Sequence, residues 1–275
     1  LKTALGASAP ATIVAVRITA RGVSGRAKTV RLYGADGTSK DIRGDDFRSE
    51  LGLKDTFFEI AGTGTLRIEG VDRYDTAVKV SQQAFSTSTV AIIANGSAYA
   101  DALGASGLAG AVPGGAPVLL TAKSALTTVT RNELVRLGVT QVYVIGGTEV
   151  VSDDVLVALR ALPKLATNPT TQVVRLSGAN RFETSAAVAN KIHALLGTSY
   201  SGRVLLVNGN KYADAVAAAG LAYNKKLPVI LTESNSVPAA SIDAIQSLGA
   251  TKALVVGGTA VVSDEPESEA ALSSG

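Results

Sequence analysis

Short apolar runs alternate with amphipathic stretches from residue 72 onward. The runs are rich in β-branched residues and lack polar alternation, as expected of buried parallel strands; they are TVAIIA (89–94), PVLLT (117–121), TQVYVIG (140–146) and QVVRLS (172–177). Helical spacing lies between them, over Asp72–Phe85 with Asp72 as N-cap, about Ala100–Val112, Val129–Leu137 and 153–162. The pattern predicts an α/β fold with a mostly parallel sheet.

Four sequence motifs occur twice, in the same order. RIEGVDRYDTA (67–77) is similar to RLSGANRFETS (175–185), and residues 94–109 match residues 207–222 at ten of sixteen positions. APVLLT (116–121) corresponds to LPVILT (227–232), and VIGGTEVVSD (144–153) matches VVGGTAVVSD (255–264) at eight of ten. Because the spacings of 108, 113 and 111 residues exceed those of solenoid repeats, we infer a duplicated small domain. The predicted copies are 67–171 and 172–275, the second shortened by Pro266 and the final SSG.

Residues 1–66 have a different pattern. Apolar and polar residues alternate over 12–20 and 28–34, with turn signals at Ser24-Gly25 and Asp36-Gly37, which predicts a small antiparallel β segment. Ten basic and seven acidic residues lie here, so this segment carries the whole net charge of +3.

Composition excludes several kinds of chemistry. The chain has no Cys, which excludes disulfides, thiolate metal sites and a cysteine nucleophile. Its one His, His193, makes a His-based metal site or catalytic dyad unexpected, and we predict no metal and no cofactor. A net charge of +3 does not indicate a nucleic-acid partner. There is no G-x-G-x-x-G after a strand and no Walker A sequence, so a nucleotide site has weak support. The sequence contains no run of about 18 apolar residues, so it predicts no membrane-spanning helix.

The carboxyl ends of the predicted strands are the expected ligand-binding positions, since open α/β sheets bind ligands there. In the first copy these positions are Asn95-Gly96, Tyr99–Asp101, Thr121 and Gly146–Thr148; in the second they are Asn208-Gly209, Tyr212–Asp214, Thr232 and Gly257–Thr259. Arg73 and Arg181 open the first helix of each copy and supply cations for an anionic group.

Each of these positions also has a structural interpretation. Asp101 and Asp214 suit helix caps, and the paired glycines suit tight turns. The two arginines suit internal ion pairs with Asp72, Asp75 or Glu183. His193 has no counterpart in the other copy and is interpreted as a structural or surface residue.

The motifs R-[IL]-x-G-x-[DN]-R-[YF]-x-T, N-G-x-x-Y-A-D-A, P-V-[LI]-L-T and GGT-x-VVSD resemble the cell wall binding repeat 2 family over residues 67–264. The resemblance implies tandem Rossmann-like or Toprim-like α/β modules, commonly three around a pseudo-threefold axis. It also implies a secreted Gram-positive surface protein held non-covalently on a teichoic-acid-like anionic wall polymer. The family's polymer-contacting P-I-L-L stretch falls on Pro117-Val118-Leu119-Leu120 and Pro228-Val229-Ile230-Leu231, with Val118, Val229 and Ile230 as conservative departures.

The predicted polymer-binding residues combine that stretch with the strand ends and the two arginines. They are Arg73, Asn95, Asp101, Pro117, Val118, Leu119, Leu120, Thr121, Arg181, Asn208, Asp214, Pro228, Val229, Ile230, Leu231 and Thr232. Since only two copies are present, we expect an exposed apolar face on the repeats, or its cover by residues 1–66 or another chain. A missing third repeat and a homo-oligomer both stay open.

Residues 13–60 resemble the end of the SpoIID family of glycan-cleaving wall enzymes and amidase enhancers, through R-G-x-S-G-R and R-x-x-L-G-L-x-x-x-x-F. That family's catalytic acid lies upstream and matches no position here, so Glu50 and Glu59 receive no catalytic role. The leading hypothesis is a wall-anchoring region with an anionic polymer, and peptidoglycan as a second possible partner. The alternatives are a glycan-cleaving or amidase-enhancing enzyme and a small-molecule-binding α/β protein.

Overall fold

The computed structural model describes residues 10–23, 25–56, 67–98, 103–167 and 172–273. It divides the chain into two compact units, residues 1–67 and residues 68–275. None of the helices among these residues is long and apolar enough to cross a membrane.

The N-terminal unit contains a three-stranded antiparallel sheet in the order β1-β2-β3. Its elements are β1 (Ile13–Arg21), β2 (Ala27–Gly34), β3 (Ser39–Arg43) and the short helix α1 (Gly44–Glu50). Val30 and Leu32 of β2 are fully buried against Phe47 of α1, which explains the alternation seen in the sequence. The sequence predicted β1 and β2 but neither β3 nor α1.

The second unit contains both repeats as α/β modules. The first module consists of α2 (Arg73–Ala84), β4 (Val90–Asn95), α3 (Ala105–Ala111), β5 (Val118–Thr121), α4 (Thr128–Leu137), β6 (Gln141–Ile145) and α5 (Asp153–Arg160). The second comprises β7 (Val173–Leu176), α6 (Arg181–Leu196), β8 (Arg203–Asn208), α7 (Tyr212–Lys225), β9 (Val229–Thr232), α8 (Ala239–Ser247), β10 (Lys252–Val256) and α9 (Asp264–Ser273). The predicted α/β class and the N-terminal antiparallel sheet are confirmed.

The two parallel sheets differ in their number of strands. The first has the order β5-β4-β6-β7 and the second the order β10-β8-β9. Strand β7 begins the second copy in sequence but pairs in parallel with β6 of the first, from Val142↔Val173 to Ile145↔Leu176. The second copy therefore contributes one strand to the first sheet, and the described part of the second sheet ends at β10.

Helix α6 is shared between the cores of both modules. Its Val188 and Ile192 pack with buried residues of the first sheet, whereas Ala189 packs in the core of the second. Helix α3 lies against α6 and α7. It also approaches the segment that follows α7 so closely that a Cβ on Gly107 would be 2.2 Å from the carbonyl oxygen of Leu227. Such an approach is possible only without a side chain, so Gly107 is required by module packing.

An exposed apolar stripe follows the outer face of α7. It comprises Ala213, Val216, Ala217, Gly220 and Leu221, at the i, i+3, i+4, i+7 and i+8 positions. This agrees with the expectation of an exposed apolar face on the repeats.

Two expectations concerned helix ends, and the helix-cap interpretation of Asp214 was wrong. Asp214 is the third residue of α7 and Lys211 is the N-cap, so Asp214 is not a cap. The final helix does form, because Pro266 is the third residue of α9, where a backbone N–H has no helical partner to lose.

Candidate functional site

The two repeated arginines perform the same local task. Arg73 Nη1 donates to the carbonyl oxygen of Gly96 at 2.7 Å, and Arg181 Nη1 donates to that of Gly209 at 2.8 Å and to Asn210 Oδ1 at 2.9 Å. Each arginine therefore ties the first helix of its module to the loop after the first central strand. Within the described part of the chain, neither arginine forms the ion pair with a neighbouring carboxylate that was its alternative, structural interpretation. The Nε and Nη2 groups of both have no partner among the residues that the structure describes.

The rest of the first motif shapes the start of the helix. The side chains of Asp72 and Asn180 cap α2 and α6, as predicted for Asp72. Gly70 N donates to Thr76 Oγ1 at 3.0 Å, and Gly178 N to Thr184 Oγ1 at 3.2 Å. The shared glycine, cap and threonine therefore have a structural explanation.

Asn95 and Asn208 are buried and connect two strand-end loops. Asn208 Nδ2 donates to Ser234 Oγ at 3.0 Å and to the carbonyl of Val261 at 2.7 Å, while its Oδ1 accepts from the N–H groups of Asn210 and Lys211. Asn95 likewise donates to the carbonyl of Val150 and accepts from the following loop. The side-chain amides of both asparagines are therefore engaged in hydrogen bonds within the protein.

The P-V-[LI]-L-T segments are mostly interior. Thr121 and Thr232 are fully buried and donate to the carbonyls of Ala125 and Ser236, at 3.0 and 2.7 Å. The preceding residues are buried or half-buried: Pro117, Val118, Leu119, Leu120, Pro228, Val229, Ile230 and Leu231. In this arrangement the segments hold the strand-end loops in place.

Backbone geometry explains the first glycine of the pair that follows the third strand of each module. Gly146 and Gly257 have φ angles of 108° and 126°, which side-chain-bearing residues rarely adopt. A Cβ on Gly257 would also lie 3.2 Å from Asp214 Oδ2, so the Asp214 carboxylate lies against this turn. The turn interpretation therefore accounts for Gly146 and Gly257.

A cleft of about 510 Å³ lies at the carboxyl edge of the first sheet. Its lining comes from three chain segments, at 97–98 after β4, at 147–150 after β6 and at 178–184 around the start of α6. Arg181 therefore lines a cleft of the first module, although its sequence belongs to the second copy. The sequence analysis assigned Arg181 to a site in the second copy, so it did not predict this position.

Other predicted or considered residues lie elsewhere. His193 is half-buried, with its ring 4.9 Å from that of Tyr200 in an edge-on arrangement, and Glu50 ends α1 on the surface. Asp101 and Glu59 lie outside the described residues. Over the part of the chain that is described, no group of three His, Asp or Glu side chains is arranged to hold a metal ion.

The segments that contain the repeated loops, helix starts and strand ends match the sequence model of a known family. The family model of cell wall binding domain 2 (CWB2) matches residues 67–156 and 175–267. The chain belongs to this family. Its two matched segments are the two modules of the second unit, and they support cell wall binding and association with the wall or cell surface.

Two relatives of Bacillus subtilis (strain 168) extend the comparison. The N-acetylmuramoyl-L-alanine amidase LytC is 32% identical over 205 residues, covering 74% of this chain and 38% of the relative. The protein called amidase enhancer is 27% identical over 226 residues, covering 81% and 29%. The chain thus spans well under half the length of either relative. The second match is consistent with the amidase-enhancer resemblance of the N-terminal segment.

Solved structures show the same architecture. Cwp6 from Clostridium difficile superposes with a TM-score of 0.65 at 25% identity, covering 89% of this chain and 40% of Cwp6. Cwp8 from the same organism gives 0.63 at 26% identity, covering 88% and 40%. The fold predicted from the sequence is therefore also that of these proteins.

Proposed function

We propose that this chain anchors a secreted protein non-covalently to the Gram-positive wall by binding an anionic secondary wall polymer. The observation that carries the proposal is the pair of repeated arginines beside the strand-end loops. Each uses one nitrogen to hold a glycine carbonyl and leaves the rest of its guanidinium without a partner in the described structure. A guanidinium fixed in this way is suited to a phosphate or carboxylate group.

Two weak sites on one chain suit a repetitive ligand. When one site is occupied, the second faces a high local concentration of the next polymer units, so overall binding exceeds that of either site. Arg73 is exposed and Arg181 half-buried, so we expect each contact to be modest and weakened by salt.

Sedimentation with purified Gram-positive walls tests the ligand. We expect the chain to sediment with intact walls and to remain in solution once acid extraction has removed the secondary polymers. Adding the extracted polymer to the intact-wall assay should then compete for binding. Undiminished sedimentation after extraction would refute the anionic polymer and point to peptidoglycan.

The double variant Arg73→Gln/Arg181→Gln tests the site. We expect at least about tenfold weaker wall binding, since a charge-assisted hydrogen bond contributes about 1.5–3 kcal/mol when well formed. Arg131→Gln is the matched control, because Arg131 is an exposed arginine on α4. Melting temperatures of all three proteins separate binding from folding. Unchanged binding, or a loss matched by an equal loss of stability, would leave both arginines with a structural role only.

A second candidate is a peptidoglycan-acting protein, favoured by the match to the amidase enhancer. Incubation with purified peptidoglycan tests it through the release of soluble muropeptides. Turnover by this chain would support the enzymatic alternative, and none is expected from anchoring alone.

A further inference from the structure

A groove of about 430 Å³ lies between α6 and α8 of the second module. Its volume is within the range of about 300–1,000 Å³ that is usual for small-ligand pockets. Its lining includes four alanines and two carboxylates, which are Ala186, Ala187, Ala240, Ala244, Glu183 and Asp243. Among the described residues that line this groove, none is basic or aromatic.

The first module has an equivalent pair of helices, α2 and α4, in the same position. Thr130 Oγ1 on α4 donates to the carbonyl of Leu120 at 2.6 Å. Its counterpart on α8, Ser241 Oγ, donates to the carbonyl of Leu231 at the same distance. The third helix of each module is therefore fixed to its sheet in the same way, and the two copies can be compared position by position.

That comparison explains why the groove is open. Three of its alanines stand where the first module has larger residues, namely Val78 for Ala186, Val129 for Ala240 and Glu133 for Ala244. In the first module Val78 is buried, Val129 packs against the same core, and Ser81 Oγ donates to Glu133 Oε1 at 2.6 Å. The second module keeps the two helices but lacks the side chains that fill the space between them.

The groove also differs from its first-module equivalent in charge. Lys79 and Arg136, the two cations at the equivalent positions, correspond to alanine and serine in the second module. Asp243 is exposed, and its carboxylate has no hydrogen-bond or ionic partner in the part of the chain that the structure describes. Each oxygen of Glu183 accepts one hydrogen bond from the turn before α6, at 2.8 and 3.0 Å, and keeps a further lone pair. The groove is therefore apolar in its alanines and negative in its charge.

We propose that this groove binds the lysine side chain of a wall peptide. The methylene chain lies on the alanines and the ammonium pairs with Asp243, while Glu183 adds negative charge. Lysine suits the site because it combines an apolar stem with a compact cationic head, whereas arginine would gain from an aromatic face that the groove does not offer. The wall is the source because the family match supports association with it. The site is independent of the anionic polymer, which its charge would repel.

Amide NMR of the whole chain tests the groove. The probe is the peptide Ala-Lys-Ala blocked at both ends, and its control is the same peptide with norleucine in place of lysine. We expect saturable shifts of amides in α6 and α8, with a dissociation constant of about 1 mM for the lysine peptide and at least about fivefold weaker binding of the norleucine peptide. Equal binding of the two peptides, or no saturation up to about 10 mM, would overturn the proposal.

Two variants identify the contacts. Asp243→Asn removes the charge at nearly constant shape and should weaken binding of the lysine peptide about fivefold. Asp154→Asn is the matched control, because Asp154 is an exposed carboxylate on α5 of the first module. The double variant Ala186→Val/Ala240→Val restores the first-module valines and should abolish binding while the melting temperature is maintained. Unchanged binding in Asp243→Asn or in the folded double variant would contradict the assignment.

Soluble muropeptides that carry a free lysine amine test the source of the ligand. We expect them to shift the same amides of α6 and α8, and to lose this effect once the amine is acetylated. Binding of the tripeptide without binding of these muropeptides would rule out a wall peptide as the occupant. Neither result alters the sedimentation assay with the anionic polymer, so the two proposals fail separately.

Discussion

The same substitution at two equivalent glycines should have opposite effects. In Gly107→Ala the new methyl would lie 2.2 Å from the carbonyl oxygen of Leu227 and 3.1 Å from Ile192 Cδ1. The side chain can turn away, but the carbonyl is backbone, so the two modules must separate by about 1 Å to reach ordinary contact. In Gly220→Ala the methyl meets nothing within 4 Å.

The magnitudes follow from two opposing effects. Alanine favours a helix over glycine by about 1 kcal/mol at both positions. At Gly107 overpacking costs about 1–3 kcal/mol, and the upper end applies because the obstacle is backbone. We therefore expect Gly107→Ala to lower the free energy of unfolding by about 2 kcal/mol, and Gly220→Ala to raise it by up to about 1 kcal/mol.

Urea unfolding followed by far-ultraviolet circular dichroism measures both changes. The N-terminal unit is identical in the two variants. The intrinsic helix preference of alanine over glycine cancels when the free energy of unfolding of one variant is subtracted from that of the other. That difference, about 3 kcal/mol, therefore reports on the contact between α3 and Leu227. Equal changes in the two variants would show that the close packing of the modules does not form in solution.

Three further predictions concern single interactions. Burial raises the pKa of Glu133, but hydrogen bonds from Arg136 and Ser81 outweigh this effect and hold the pKa below its usual range. The ionised Glu133 therefore stabilises the fold at pH values above its unfolded-state pKa, and this stabilisation is lost as the pH falls through its pKa in the folded state. Thermal unfolding of Glu133→Gln between pH 6 and 3 should thus depend less on pH than that of the parent. Asn208→Ala removes four hydrogen bonds and should cost about 2–4 kcal/mol in urea unfolding, more than Asn95→Ala, which removes two. Lys123→Ala breaks an exposed ion pair and should change stability by less than about 0.5 kcal/mol; a larger loss would contradict its surface role.

Hydrophobic periodicity predicted most elements of the second unit, because buried parallel strands and amphipathic helices leave strong patterns. The runs at 89–94 and 117–121 became β4 and β5 with boundaries shifted by one residue. The strand Ser39–Arg43 was missed because four of its five residues are polar or charged, and only Ile42 points to a core. Helix α1 was missed because seven residues are too few to show a helical period.

Pairing between elements was harder to predict than the elements themselves. The strand over 172–177 was expected to complete the first α/β unit, and it pairs with β6, although its residues fall within the second copy of the sequence repeat. The bonds from Arg73 and Arg181 to glycine carbonyls were also unpredictable, because backbone acceptors have no sequence signature. The ion pairs that sequence suggested were therefore replaced by contacts that only the folded loops create.

Comparison of the two copies narrows what a shared ligand can recognise. The buried asparagines, capping residues and glycine turns recur for structural reasons, so their repetition says nothing about binding. Other side chains in the same loops differ. Ala98 of the first module corresponds to the exposed Lys211 of the second, and the exposed Glu149 of the first corresponds to Ala260 of the second, so the second module has the more positive loops. If both modules bind the same polymer, recognition must rest on what the loops share, namely the arginine beside the N-G turn, the threonine of the GGT turn and the backbone amides between them. Lys211 and Glu149 would then adjust the affinity of each module without setting its specificity.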